Sequence, residues 1–425
     1  MSLKMKLTST IIAFILLTSM LIVGVFAVKQ TNFSVGGNIV FNATGVEAKV
    51  EFVSLTTGAL AEGTVDTDSD NDKMKDVTID TNMSTNDIAS AFSSWQNLSL
   101  EFGADGTDVE LQLEVTNMAE AGKDNYIDML ATVNNGTAQN AKVNVVNNAG
   151  GITALLAPQE SAVFTVKFKV IDKDVNASLT NFAINFNLNH LTTADVRDAS
   201  YYEEGFGLVF GLEDSENKIT SVSGQKDMSN YTMQVSPELV IPKYVKSGND
   251  IYTVRTISDN AFCILGPSQG SSLLFVILPD TLTSIGNYAF AYSQLPKIVI
   301  PNGVVNLGEN VFYRSTSPEI IIGDGISIAY RLFYSEYNSN FSFTKVVFKE
   351  GVETLYATFE ASFITALYLP KSIKKFDGNC FSSSNITTIY YAGSEAEWNA
   401  IELYHEDGIN EEFYNLNVVF NTPAQ

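Results

Sequence analysis

The sequence predicts a mainly β chain: an antiparallel β-sandwich followed by a solenoid with a cap at each end. Three observations carry this. From residue 273 onward a short unit recurs, L-x-x-I-x-I-P, then apolar positions three and six residues on, then Phe. Residues 278, 300, 322, 348, 369 and 391, at or just before the Pro position, are spaced 22, 22, 26, 21 and 22 apart. A unit this short cannot bury its own apolar face, so neighbouring units must stack. Before residue 195 the pattern is different: short runs alternate apolar and polar at period two, as in half-buried strands. Ser394 and Glu397, finally, have capping-box spacing just past the last repeat.

Taken in order, residues 1–27 read as a signal peptide or an uncleaved membrane anchor. Lys4 and Lys6 precede an uncharged run from Leu7 to Val28, and Val25-Phe26-Ala27 suits cleavage after Ala27. Left uncut, residues 7–28 could span a bilayer. Either way the rest of the chain is expected outside the cytoplasm, extracellular or at the cell surface.

Residues 30–195 form the expected sandwich. Val109–Val115 and Val163–Val170 alternate cleanly, and Asn134-Asn135-Gly136 and Asn148-Ala149-Gly150-Gly151 read as hairpin-type turns. The leader with Val40–Val50, Trp95–Leu98 and Leu156–Ser161 resembles the secreted TasA/camelysin-type matrix proteins of Gram-positive bacteria, a resemblance covering residues 1–195. It implies an extracellular matrix subunit that assembles through its β-sandwich.

Residues 196–205 read as a polar linker. Residues 206–262 read as an N-terminal cap and first repeat, opened by a hairpin of Leu208–Phe210 with Ile219–Val222. The array proper covers 263–392. Its cores are Leu273, Val276, Leu278, Leu282, Ile285 and Phe290, then Leu295, Ile298, Ile300, Val304, Leu307 and Phe312, and so on to Phe381. Leu278–Phe290, and Thr388–Gly393 with Trp398, resemble the BspA-like leucine-rich repeat family, a resemblance covering residues 205–425. It implies a right-handed leucine-rich repeat solenoid on a secreted or cell-surface protein, often an adhesin. The copies at Gly323 and Lys349 lose the Pro, and Tyr330 and Tyr356 replace the family's Gly, so irregular coils are expected there. Residues 393–425 read as the C-terminal cap. A short helix is expected over 395–401, with Trp398 and Ile401 closing the last coil and a strand at Asn417–Phe420.

The chain of 425 residues is 45% apolar and carries 48 acidic against 25 basic residues, a net charge of −23. Such a chain repels nucleic acid and anionic lipid, so neither is an expected partner. Cys263 and Cys380 sit about five coils apart. At ~4.8 Å per coil they are separated by roughly 20–25 Å, too far for a disulfide.

The best candidate for function is a stripe. Strand side chains alternate, so Ile277, Val299, Ile321, Val347, Tyr368 and Tyr390 must point outward. Polar residues would be the default on a solvated face. A contiguous apolar column of several hundred Å² usually marks an interface. The alternatives are that β-branched and aromatic residues simply favour strands, or that the N-terminal domain covers the face. The Phe ladder, Phe262 through Phe381, is expected to be core.

Asp66, Asp68, Asp70 and Asp72 invite a calcium reading. The EF-hand pattern fails in both registers, however, and a solvated acidic loop is expected. His190 and His405 are the two histidines of the sequence, far apart in it and in separate predicted domains, which argues against a His-based triad or zinc site. No nucleotide or nucleophile-elbow motif is present. The reading is thus a non-enzymatic exported binding protein, adhesin-like, without cofactor or metal. Its partner is expected to be an extracellular protein or polysaccharide, with the matrix subunit as the alternative.

Overall fold

The computed structural model describes residues 33–55, 59–60, 77–79, 98–101, 109–148, 150–170, 177–215, 217–224, 226–227, 232–233, 238–263, 273–335, 340–377, 379–404 and 415–422. The leader, the Asp66–Asp72 loop and His405 lie outside them. The chain divides into two compact units. The first comprises Met1–Lys123, Met129–Val146 and Leu156–His190; the second comprises Asp124–Asp128, Asn147–Leu155 and Leu191–Gln425. No helix among the described residues is long and apolar enough to cross a membrane.

The sandwich is two sheets. One runs in the order Val77–Ile79, Ala48–Leu55, Val109–Asn117, Ser161–Val170, Ala141–Asn147. The other is built around Ala177–Leu191, flanked by Tyr126–Asn134 and Phe33–Thr44. Ser161–Val170 buries every second side chain from Ala162 to Val170, as its alternation requires. Phe164 and Phe168 from one sheet meet Phe186 and Phe182 from the other, edge to face at 5.3 and 5.4 Å, and form the apolar centre.

Two details depart from the sequence reading. Phe33–Thr44 runs parallel to Ala177–Leu191, so this ladder is not antiparallel. Neither Asn/Gly turn closes a hairpin. The strand after Gly136, Thr137–Gln139, pairs with Ala177–Leu191. The segment after Asn147 leaves one sheet and enters the other. Gly136 and Gly150 do adopt positive φ, at 55° and 84°. A left-handed residue reverses the chain equally well between sheets and within one, which is why the turn residues misled.

The linker segment carries a helix, Ala199–Phe206, ended by Gly207 at φ 68°. Its Tyr202 and Phe206 pack against the apolar core of the repeat array. The expected hairpin follows as Leu208–Asp214 against Ile219–Gly224.

In the array each coil lends strands to two parallel ladders. The first stacks Ile298–Val299, Ser317–Ile322, Phe343–Phe348, Phe363–Leu369, Asn385–Tyr391 and Val418–Val419. Ahead of it, Glu238–Val240 pairs with Phe275–Ile277. The second stacks Ile328–Tyr330, Thr354–Tyr356, Lys375–Asp377 and Glu402–Tyr404. Ahead of that one lie Asp250–Ile257, Ser284–Ile285 and Asn306–Leu307.

Between the ladders runs the Phe column. Phe262, Phe290, Phe312, Phe333, Phe359 and Phe381 are all buried, with successive ring centroids 5.4, 6.1, 5.5, 6.0 and 5.5 Å apart. Buried hydroxyls satisfy carbonyls at the coil corners, such as Ser315 Oγ donating to the Phe290 carbonyl at 2.7 Å. The coils at Tyr330 and Tyr356 keep register, Tyr330 opposite Tyr356 and Ala329 opposite Leu355. At the C-terminus, Ser394 caps Glu395–Asn399 and Glu397 reciprocates. Trp398 closes the core at 5.4 Å from Phe376 and 5.3 Å from Tyr391.

Candidate binding surface

The first ladder brings the outward stripe together. Val299 lies opposite Ile321, Ile321 opposite Val347, Val347 opposite Tyr368, and Tyr368 opposite Tyr390. Ile277 holds the same place one coil earlier, opposite Val240. The column is not evenly open. Ile277 is 54% and Val299 42% exposed. Ile321, Tyr368 and Tyr390 are half-buried. Val347 is only 3% exposed and is a core residue, which corrects its reading as an exposed contact. Its neighbours at coil spacing are Ile321 and Tyr368, both larger side chains.

The open apolar surface therefore gathers at the start of the ladder. Leu274, Phe275 and Val240 join Ile277 and Val299 there, and all five are exposed. Sequence reasoning missed Leu274, Phe275 and Val240 because it followed one residue per repeat. Phe275 stands two before Ile277, so it shares the face, and that spacing was the available signal. At the far end Val419 extends the column past Tyr390.

Beside the stripe, two residues before Val299, Ile321 and Val347, run the charged residues Lys297, Glu319 and Lys345. Glu319 accepts from Lys297 at 2.6 Å and from Lys345 at 3.0 Å. The Lys297 hydrogen bond, seconded by that of Lys345, holds the Glu319 carboxyl below the usual carboxylate range. Lys345 also sits 5.1 Å above the Tyr368 ring, which stacks on Tyr390 at 4.6 Å and 14°. The middle of the face is thus occupied by its own ion pairs and ring contacts.

Among the described residues, no three or more His, Cys, Asp or Glu side chains gather as a metal site would. His190 is exposed. Cys263 and Cys380 are both buried, and burial pushes the Cys380 thiol up to about 12.

Residues 255–387 match the BspA type leucine rich repeat region in six copies. No curated protein matches the chain. Among solved structures, the pneumococcal vaccine antigen PcpA is 18% identical, with TM-score 0.35, over 45% of this chain and 49% of its own. This chain therefore spans about half the length of that antigen. A leucine-rich repeat protein from Bacteroides ovatus is 16% identical, with TM-score 0.23, over 51% of this chain and 70% of its own. A leucine rich cell surface protein from Faecalibacterium prausnitzii is 14% identical, with TM-score 0.15, over 46% of this chain and 96% of its own.

Proposed function

We propose that this chain is an exported cell-surface protein that binds an extracellular protein, adhesin-like, through the outward face of its first ladder. The observation that carries the reading is the exposed apolar cluster of Val240, Leu274, Phe275, Ile277 and Val299. Apolar side chains stand there on a sheet face where water would favour polar ones. The BspA-type repeat region supports it, because stacked repeats present extended surfaces suited to recognition. The leader-like run at residues 7–28 supports an extracellular location.

The test is a surface-binding screen of the full mature chain against immobilised extracellular matrix proteins, with Ile277→Ser/Val299→Ser as the comparison. Burying two such side chains contributes about 1.5–3 kcal/mol each, so the double variant should bind at least about tenfold more weakly at unchanged Tm. A partner bound equally by both proteins would remove this face as the site.

A further inference from the structure

A second feature lies on the other ladder, away from the apolar cluster. One position of each coil there reads Gly286, Gly308, Tyr330, Tyr356 in successive repeats. Both glycines are forced by close approach between coils. A Cβ on Gly308 would lie 2.6 Å from the Asn287 nitrogen, and one on Gly286 would strike the Asp259 carboxylate and backbone. The next two coils escape this constraint because their turns are one residue shorter. The spacing of four from Gly308 to Phe312 falls to three from Tyr330 to Phe333 and from Tyr356 to Phe359. Large side chains can then stand where the glycines stood.

The result is a step in the surface. Over the two glycines lies an open groove of about 430 Å³, lined among others by Asp259, Ser284, Asn287, Asn306, Ser327 and Ile328. Ile328 and Tyr330 leave the same face of one strand and are both exposed, with Ala329 buried between them. Tyr330 stacks on Tyr356 at 4.9 Å and 25°. That stack occupies only one face of the Tyr330 ring. The coil on its other side offers Gly308 in this column, so no side chain from that position covers the second face.

We infer that the groove over Gly286 and Gly308, together with the Tyr330–Tyr356 pair that begins two residues beyond its lining residue Ile328, binds a segment of an uncharged oligosaccharide. A sugar ring has an apolar C–H face and a rim of hydroxyls. It matches an exposed aromatic ring, stacked within its column on Tyr356 alone, beside amide and hydroxyl groups that both donate and accept. The side chains of Ser284, Asn306 and Ser327 are committed to no hydrogen bond within the described protein. The lining holds one carboxylate, Asp259, and no cation, which disfavours an anionic ligand. Asp259 is already turned on the Asn287 amide, accepting at 2.7 Å from its backbone N–H, and so fixes the groove wall. From Gly286 to Tyr356 the column covers three coil steps, about 14 Å, room for a few sugar residues in a row.

The experiment is isothermal titration of the full mature chain with cellohexaose, mannohexaose and maltohexaose, and with a heparin hexasaccharide as the charged probe. At least one neutral hexasaccharide should bind, with about tenfold loss in Tyr330→Ala and a comparable loss in Asn306→Ala. Ile277→Ser/Val299→Ser should bind it as the parent does, which separates this site from the protein-binding face. Unchanged Tm in each variant confirms that folding is intact. Should Tyr330→Ala unfold the array, Tyr330→Phe keeps the ring and should retain binding while Asn306→Ala still loses it. Absence of binding by all three neutral probes overturns the inference. So does tighter binding of the heparin hexasaccharide, or neutral binding unaffected by Tyr330→Ala and Asn306→Ala.

Discussion

Phe312→Ala measures how far the repeat array stands on its aromatic column. The ring is fully buried and lies nearly parallel to Phe290 at 6.1 Å and to Phe333 at 5.5 Å, with 12° between planes in both pairs. Truncating a buried Phe to Ala costs about 3–5 kcal/mol, more where the surroundings cannot collapse. Collapse is restricted here because coil spacing is fixed by two β-ladders. Each aromatic pair contributes about 0.5–1.5 kcal/mol beyond burial, and Phe312→Ala removes two such pairs at once. The assay is guanidinium unfolding of the full chain followed by Trp398 fluorescence in a Trp95→Phe background, since the chain has only these two tryptophans. A loss below about 1.5 kcal/mol at Phe312 would refute the reasoning.

Three other expectations concern charge, thiols and the cap. Glu319, held low first by Lys297, and Glu397, held low first by the Ser394 backbone, both ionise more readily folded than unfolded. Their contribution is complete above the unfolded value of about 4.3 and is lost as pH falls through the lower folded values. Glu319→Gln should therefore flatten the acid limb of a Tm-against-pH curve, and an unchanged limb would count against the Lys297–Glu319–Lys345 contacts. In a Cys263→Ala background, Cys380 should react with a thiol reagent only as the array unfolds, because its pKa is pushed up to about 12; fast labelling of the native chain would contradict its burial. Ser394→Ala should cost about 0.5–2 kcal/mol and Trp398→Ala about 3–5 kcal/mol by the same unfolding assay read by circular dichroism, and equal losses would show that Trp398 does not close the core.

Much of the array was legible because a repeat reports itself many times over. Val276, Ile298, Ile320, Val346, Leu367 and Ile389 are all buried because each occupies the same place in a coil. The capping box and Trp398 were legible because their signals are local. Local signals failed where the outcome depends on neighbours. Val347 has the sequence signature of an exposed residue, yet it is buried, with the larger Ile321 and Tyr368 on the strands either side of it. The tyrosines at 330 and 356 looked like disruptions, because a Gly position gives no hint that a shortened turn will relieve it. In the sandwich, alternation located Ser161–Val170, yet nothing in Phe33–Thr44 says that its partner, 144 residues on, runs parallel. Asn-Gly pairs announce a reversal without saying which strands it joins.

The central claim is that the open end of the first ladder is a protein-binding face. Its most direct test is footprinting: hydrogen–deuterium exchange of the full mature chain with and without the partner found by the binding screen. Protection should concentrate on the backbone of 238–241, 273–278 and 298–300, around Val240, Phe275, Ile277 and Val299, and should vanish in Ile277→Ser/Val299→Ser. Protection confined to the sandwich strands, with none in the array, would contradict the claim and favour a chain that assembles through its N-terminal unit.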